Sequence, residues 1–189
     1  MAKTSVARSA KTTARREGSK GQKITPFLWF DKEAEKAMNF YVSVFNGSPS
    51  KSGDSRVISI ARYEEGLDAP GGAEMIGKVI TGIFELNGQR FMALDGGPIF
   101  KFNEAVSLFV ECEDQTEVDY FWKNLSAVPE AEQCGWIKDK YGLSWQIIPK
   151  RMMELLGDAN RKKALAAANT MLQMKKIVIA DLERAFDEA

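Results

Sequence analysis

The residues best placed to do chemistry lie on stretches that alternate as strands. Ser107, Phe109 and Glu111 share one face of such a stretch. Ser144, Gln146 and Ile148 share a face of another, and Arg90, Met92 and Leu94 a third. If these faces are concave, they give an aromatic and apolar lining with a few convergent polar groups, the usual make-up of a small-molecule pocket. Leu28 joins that lining by its equivalence to Phe109. Arg90 could anchor an anionic ligand. Glu111 could pair with Arg90, or act as an acid/base if burial raises its pKa. Each has a plainer alternative: a solvated strand edge for Arg90 and Glu111, and a buried amide bonded to neighbouring backbone for Gln146.

What is missing narrows the chemistry further. The 189 residues contain no histidine, which excludes Ser-His-Asp, Cys-His and HExxH machinery. Cys112 and Cys134 lack a His or CxxC partner, so inert thiols in a reducing, cytoplasmic setting are expected, and no structural zinc site. No apolar run is long enough to span a membrane, and no secretory leader is visible.

Charge is balanced overall but unevenly spread. Residues 1–23 carry seven Lys/Arg against Glu17 alone, ahead of a mildly acidic remainder. This tail has almost nothing to bury and is expected to be disordered, touching polyanions weakly at most, with no specific nucleic-acid partner.

The elements that must position the candidates follow from periodicity. Ile24–Phe30 reads as a strand, and Asp31 stands where a helix cap belongs. Ala34, Ala37, Met38, Tyr41, Val42 and Phe45 recur at helical spacing up to Asn46-Gly47. Ser55–Tyr63 alternates, and Glu64–Gly77 reads as a long loop. Lys78–Leu86 and Gln89–Asp95 flank Asn87-Gly88, a strong hairpin signal. The order then recurs: strand Ala105–Glu111, a helix capped by Asp114 and running to Leu125, a shortened segment, Cys134–Lys138, and Leu143–Ile148. Pro149 opens a helical region over 150–188. Phe40-Tyr41 and Phe121-Trp122 end the two helices 81 residues apart, an offset that sets Leu28 on Phe109 and Pro26 on Ser107. The chain therefore reads as an α+β domain of two βαβββ halves, 24–98 and 104–149, with C-terminal helices.

The stretches ITPFLWFDKEAEKAMNFYVSVF, FELNGQRFMALDGGP, AVSLFVECEDQTEVDYFW and CGWIKDKYGLSWQIIP resemble PhnB-like proteins of the glyoxalase/bleomycin-resistance/dioxygenase (vicinal oxygen chelate) superfamily. The tail TMLQMKKIVIADLERA is similar to the C-terminal helix of that group, whose members often carry the label 3-demethylubiquinone-9 3-methyltransferase. The resemblance implies tandem modules curling into a half-barrel around a ligand, and a homodimer. It also implies four ion-ligand positions, falling on Pro26 (Thr25 if the register slips), Met92, Ser107 and Gln146. Only Gln146 offers a plausible donor, so neither a metal nor another cofactor is expected. For the methyltransferase label, Asp95-Gly96-Gly97 ends a strand but has no helix signal behind it, unlike a nucleotide-binding turn. The expectation is a metal-independent small-molecule-binding protein. The alternatives are an enzyme using a carboxylate such as Glu111, or the methyltransferase of the label.

Overall fold

The computed structural model describes residues 22–50, 53–69 and 71–189. The basic tail expected to be disordered therefore lies, up to residue 21, outside the described residues.

The first module runs β1 (Phe27–Phe30), α1 (Ala34–Asn46), β2 (Arg56–Arg62), β3 (Val79–Leu86) and β4 (Gln89–Asp95), with a 3-10 turn at Gly72–Met75. Its four strands lie in the order β1-β4-β3-β2, with β1 parallel to β4 and the rest antiparallel. Asn87 and Gly88 both take positive φ, at 47° and 81°, as the two-residue hairpin demands. The long loop is anchored by Met75, which is 1% exposed.

The second module is β5 (Ser107–Cys112), α2 (Gln115–Leu125), β6 (Trp136–Lys138) and β7 (Ser144–Pro149). Its sheet has three strands, β5-β7-β6, with a 3-10 turn at Pro129–Ala131 before β6. Beside β6, the N–H groups of Cys134 and Gly135 donate to the carbonyls of Met174 and Lys175, both at 2.8 Å. A C-terminal segment thus satisfies backbone where the other module carries another strand.

Asp114 caps α2 as its sequence position predicts, accepting from the Glu117 N–H at 2.9 Å. Asp31 does not cap α1. Instead Asp95, at the end of β4, accepts from Ala34 N–H at 2.7 Å through Oδ1 and from Val79 N–H at 2.9 Å through Oδ2. A cap sixty-one residues away leaves no local pattern.

One hydrophobic core joins the modules. Tyr41 and Phe45 of α1 pack on Trp145 of β7 at ring-centroid distances of 5.3 and 5.8 Å, and Phe45 meets Phe121 of α2 at 5.0 Å. A second core forms where α3 (Lys150–Leu156), α4 (Arg161–Leu172) and α5 (Ile179–Asp187) close over Ile148 with Met152, Leu155, Ile177 and Leu182. No helix among the described residues is long and apolar enough to cross a membrane.

Candidate functional site

Strand alternation decides which candidate side chains can meet. In β5 Val110 and Cys112 are buried, whereas Phe109 is 50% exposed and Glu111 lies open. In β1 the buried residues are Leu28 and Phe30. The buried faces of the two helices pair Tyr41 with Phe121 and Phe45 with Leu125, one residue short of the offset of 81 read from the sequence. Strand burial instead pairs Leu28 with Val110 and Phe30 with Cys112, one residue beyond it. Because the side-chain period of a strand is two, that single step reverses the face. Leu28 is a core residue, paired in register with Ala93, and it is Phe27 that stands opposite Met92.

Gln146 and Ser107 do come together: the Gln146 amide Nε2 donates to Ser107 Oγ at 2.8 Å across the parallel β5–β7 pair. Ser144 Oγ, buried nearby in register with Ser107, has no partner among the described residues. Met92 is half-buried on the open face of the first sheet. Arg90 does not reach Glu111. Its guanidinium lies 3.5 Å from Glu85, which also holds Arg56 at 2.8 Å, and its backbone is clasped on both sides by the Gln22 amide at 3.0 Å. Glu111 lies instead 3.8 Å from Lys150, which also bonds Glu113.

The offset also moves the first ion-ligand position to Thr25. Thr25, Met92, Ser107 and Gln146 supply two hydroxyls, a thioether and an amide already bonded to Ser107. A hard divalent ion needs carboxylates or imidazoles, so this set does not fit one. Among the described residues no three acid or cysteine side chains gather as metal ligands anywhere. The glycine pair after β4 leads to β5 without an intervening helix, so the phosphate-cradling turn of a nucleotide fold is not formed there.

Two of the candidates, Phe109 and Glu111, line a cleft between the modules with a volume of about 530 Å³. Phe45, Phe91, Leu108, Val110 and Trp145 form its apolar walls. Its rim carries Glu111, Glu113, Lys150 and Asn87, and the Asn87 Oδ1 is buried without a partner among the described residues. Two carboxylates against one ammonium make this rim rich in acceptors and slightly negative. A ligand with an apolar body and a hydrogen-bond donor or positive group fits it. The Glu111 carboxylate is 55% exposed.

The wall residue Trp145 is held by a group that periodicity does not reveal. Its Nε1–H donates to Asp139 Oδ2 at 2.8 Å, and the same oxygen accepts from the Tyr41 hydroxyl at 2.8 Å. Asp139 Oδ1 accepts from the N–H groups of Tyr141 at 2.8 Å and Leu143 at 3.1 Å. Asp139 is 1% exposed, and burial pushes its carboxyl above the usual range against the pull of these four bonds. Burial and the neighbouring Asp139 charge likewise push the Tyr41 phenol up. The one sequence signal was an Asp opening the tight Lys140-Tyr141-Gly142 turn, where such side chains bond backbone two residues on. Cys112 is fully buried, and burial raises its thiol far above a reactive range.

Residues 22–148 match the family model described as 3-demethylubiquinone-9 3-methyltransferase, which leaves α3–α5 outside the match. A Bacillus cereus structure described as a PhnB protein of the same 3-demethylubiquinone-9 3-methyltransferase class is 38% identical, with a TM-score of 0.54. That alignment covers 68% of this chain and 99% of the other. A Staphylococcus aureus protein is 31% identical over 65% of this chain and 91% of its own, with a TM-score of 0.28. A Pseudomonas aeruginosa protein is 18% identical over 65% of this chain and 92% of its own, with a TM-score of 0.45. No curated protein matches.

Proposed function

The chain belongs to the 3-demethylubiquinone-9 3-methyltransferase family of PhnB-like proteins, and from that premise we propose that it binds a small molecule in the inter-module cleft without a metal ion. The carrying observation is the cleft itself: five apolar walls around about 530 Å³, edged by Glu111 and the Glu113–Lys150 pair. Burial of a planar or hydrophobic body supplies affinity at roughly 25 cal/mol per Å², and the acceptor-rich rim orients a donor group. The exposed apolar residues Phe27, Phe109 and Val106 support the further reading that two copies associate.

A thermal-shift screen of planar amphiphiles against chelator-treated protein tests the proposal. Ligands that stabilise the chain should lose their effect in Phe109→Asp, whose exposed position lets the variant fold. At about 100 times the dissociation constant, a ligand should add about 2.7 kcal/mol. Stoichiometric Mn, Fe, Ni or Zn in the purified protein, required for that stabilisation, would overturn the metal-free reading. Stabilisation by S-adenosylmethionine would instead favour the activity in the family's name.

A further inference from the structure

A second concavity, of about 350 Å³, opens where the loop joining the modules meets the start of α1 and the β6–β7 turn. None of the residues discussed above as ligand-binding lines it. Its aromatic walls are fixed in place. The Trp29 Nε1–H donates to Gly97 O at 2.9 Å, and the indole lies so close over Gly96 that a Cβ there would stand 2.1 Å from its ring. Phe100 meets Trp29 edge-on at 5.0 Å, and Phe30 meets Phe102 and Tyr141 edge-on at 5.3 and 5.9 Å. Phe100 is nevertheless 63% exposed, a large aromatic face left to water beside a rigid wall.

Charges at the mouth are not equally available. Lys138 bonds Glu104, and Glu33 is held by Lys36 at 3.2 Å. Lys101 has no acidic partner among the described residues. Lys140 has none either, and its ammonium sits 4.0 Å from the Phe40 ring centroid and 5.2 Å from that of Tyr141. Among the described residues, two ammonium groups without an acidic partner therefore stand against one carboxylate without a basic one, that of Asp31.

We propose that this cavity is a binding site for a planar aromatic anion of the aryl-carboxylate class. The ring lies among Trp29, Phe100, Phe102 and Tyr141, and the carboxylate is met by Lys101 and Lys140. The site is separate from the Glu111 cleft, which favours a donor or a cation.

Isothermal titration of the full chain with three naphthyl probes tests this: 2-naphthoate, 2-naphthamide and 2-naphthylmethylammonium. Naphthoate should bind about tenfold more tightly than the amide, as a charge-assisted hydrogen bond predicts, and the ammonium probe most weakly. Lys101→Met/Lys140→Met, which alters exposed side chains only, should erase the preference for naphthoate. Phe100→Ser should weaken all three probes by about tenfold through lost ring contact. Phe109→Ser, in the other cleft, should leave naphthoate binding unchanged. Tightest binding by the ammonium probe, no naphthoate heat at millimolar concentration, naphthoate affinity unmoved by the lysine pair, or its loss in Phe109→Ser would each overturn the assignment.

Discussion

The Tyr41 hydroxyl on α1 donates a 2.8 Å hydrogen bond to Asp139 Oδ2, ninety-eight residues away in the other module, and that same oxygen holds Trp145 at 2.8 Å. One buried carboxylate thus locks the first module's helix to the second module's sheet and orients a wall of the cleft. Removing it should strand four donors: Asp139→Ala is expected to cost about 3–5 kcal/mol. Tyr41→Phe, which leaves three donors on the carboxylate, should cost about 1–2 kcal/mol. Urea denaturation of the two variants checks the ranking. A Tyr41→Phe loss as large as that of Asp139→Ala would contradict it.

The same carboxyl makes stability depend on pH. Burial holds its folded-state pKa above the ordinary 3.8, so the native state binds the proton more tightly than the unfolded chain does. Its contribution is then full below the unfolded value and is lost as pH rises through the folded value. The stability of the natural chain relative to Asp139→Asn should therefore fall as pH rises above about 4. Denaturant titrations of both proteins between about pH 4 and pH 7 measure it, and a difference that grows with pH would be inconsistent with a raised pKa.

Asp95 caps α1 and ties down the start of β3 from a 2% exposed position, through Ala34 N–H and Val79 N–H. Asp95→Ala should cost about 2–4 kcal/mol, because two backbone donors lose their partner in the interior. Amide exchange at Ala34 and Val79 should rise along with the loss of stability. Protection unchanged at both would show that other acceptors replace the carboxylate.

Gly96 should tolerate no side chain. Gly96→Ala places a methyl group 2.1 Å from the Trp29 ring, so the indole must swing out and release Gly97 O. A loss of about 1–3 kcal/mol and a shift in tryptophan emission are expected. Emission identical to that of the natural chain would mean that the backbone moves instead.

The C-terminal helices are part of the fold although they lie outside the family match. Leu182, wholly buried against the Ile148 cluster, should cost about 2–5 kcal/mol as Leu182→Ala. A single cooperative unfolding transition should persist, since the Met174 and Lys175 carbonyls bond the backbone beside β6. A separate early transition would show α3–α5 to be an independent unit.

By itself the sequence determined whatever depends on neighbours in the chain. Asn87-Gly88 makes a hairpin because two consecutive positive φ angles suit those residues, and Asp114 caps α2 because its acceptor sits three residues from the donor. Helical spacing in α1 exposed the core face that Tyr41 and Phe45 share. The order of elements, the shortened second module and the lack of imidazole ligands were legible in the same way. Tertiary structure alone decided what depends on strand phase and long-range contact. A strand offset one residue beyond the one read from the sequence put Leu28 in the core and left Phe27 opposite Met92. Arg90 found Glu85 on the neighbouring strand, and Glu111 found Lys150 at the start of α3, just past the strand β7 that pairs with its own. Asp95 and Asp139 could not be singled out from composition or period, because the groups they satisfy are brought to them only when distant strands and helices pack.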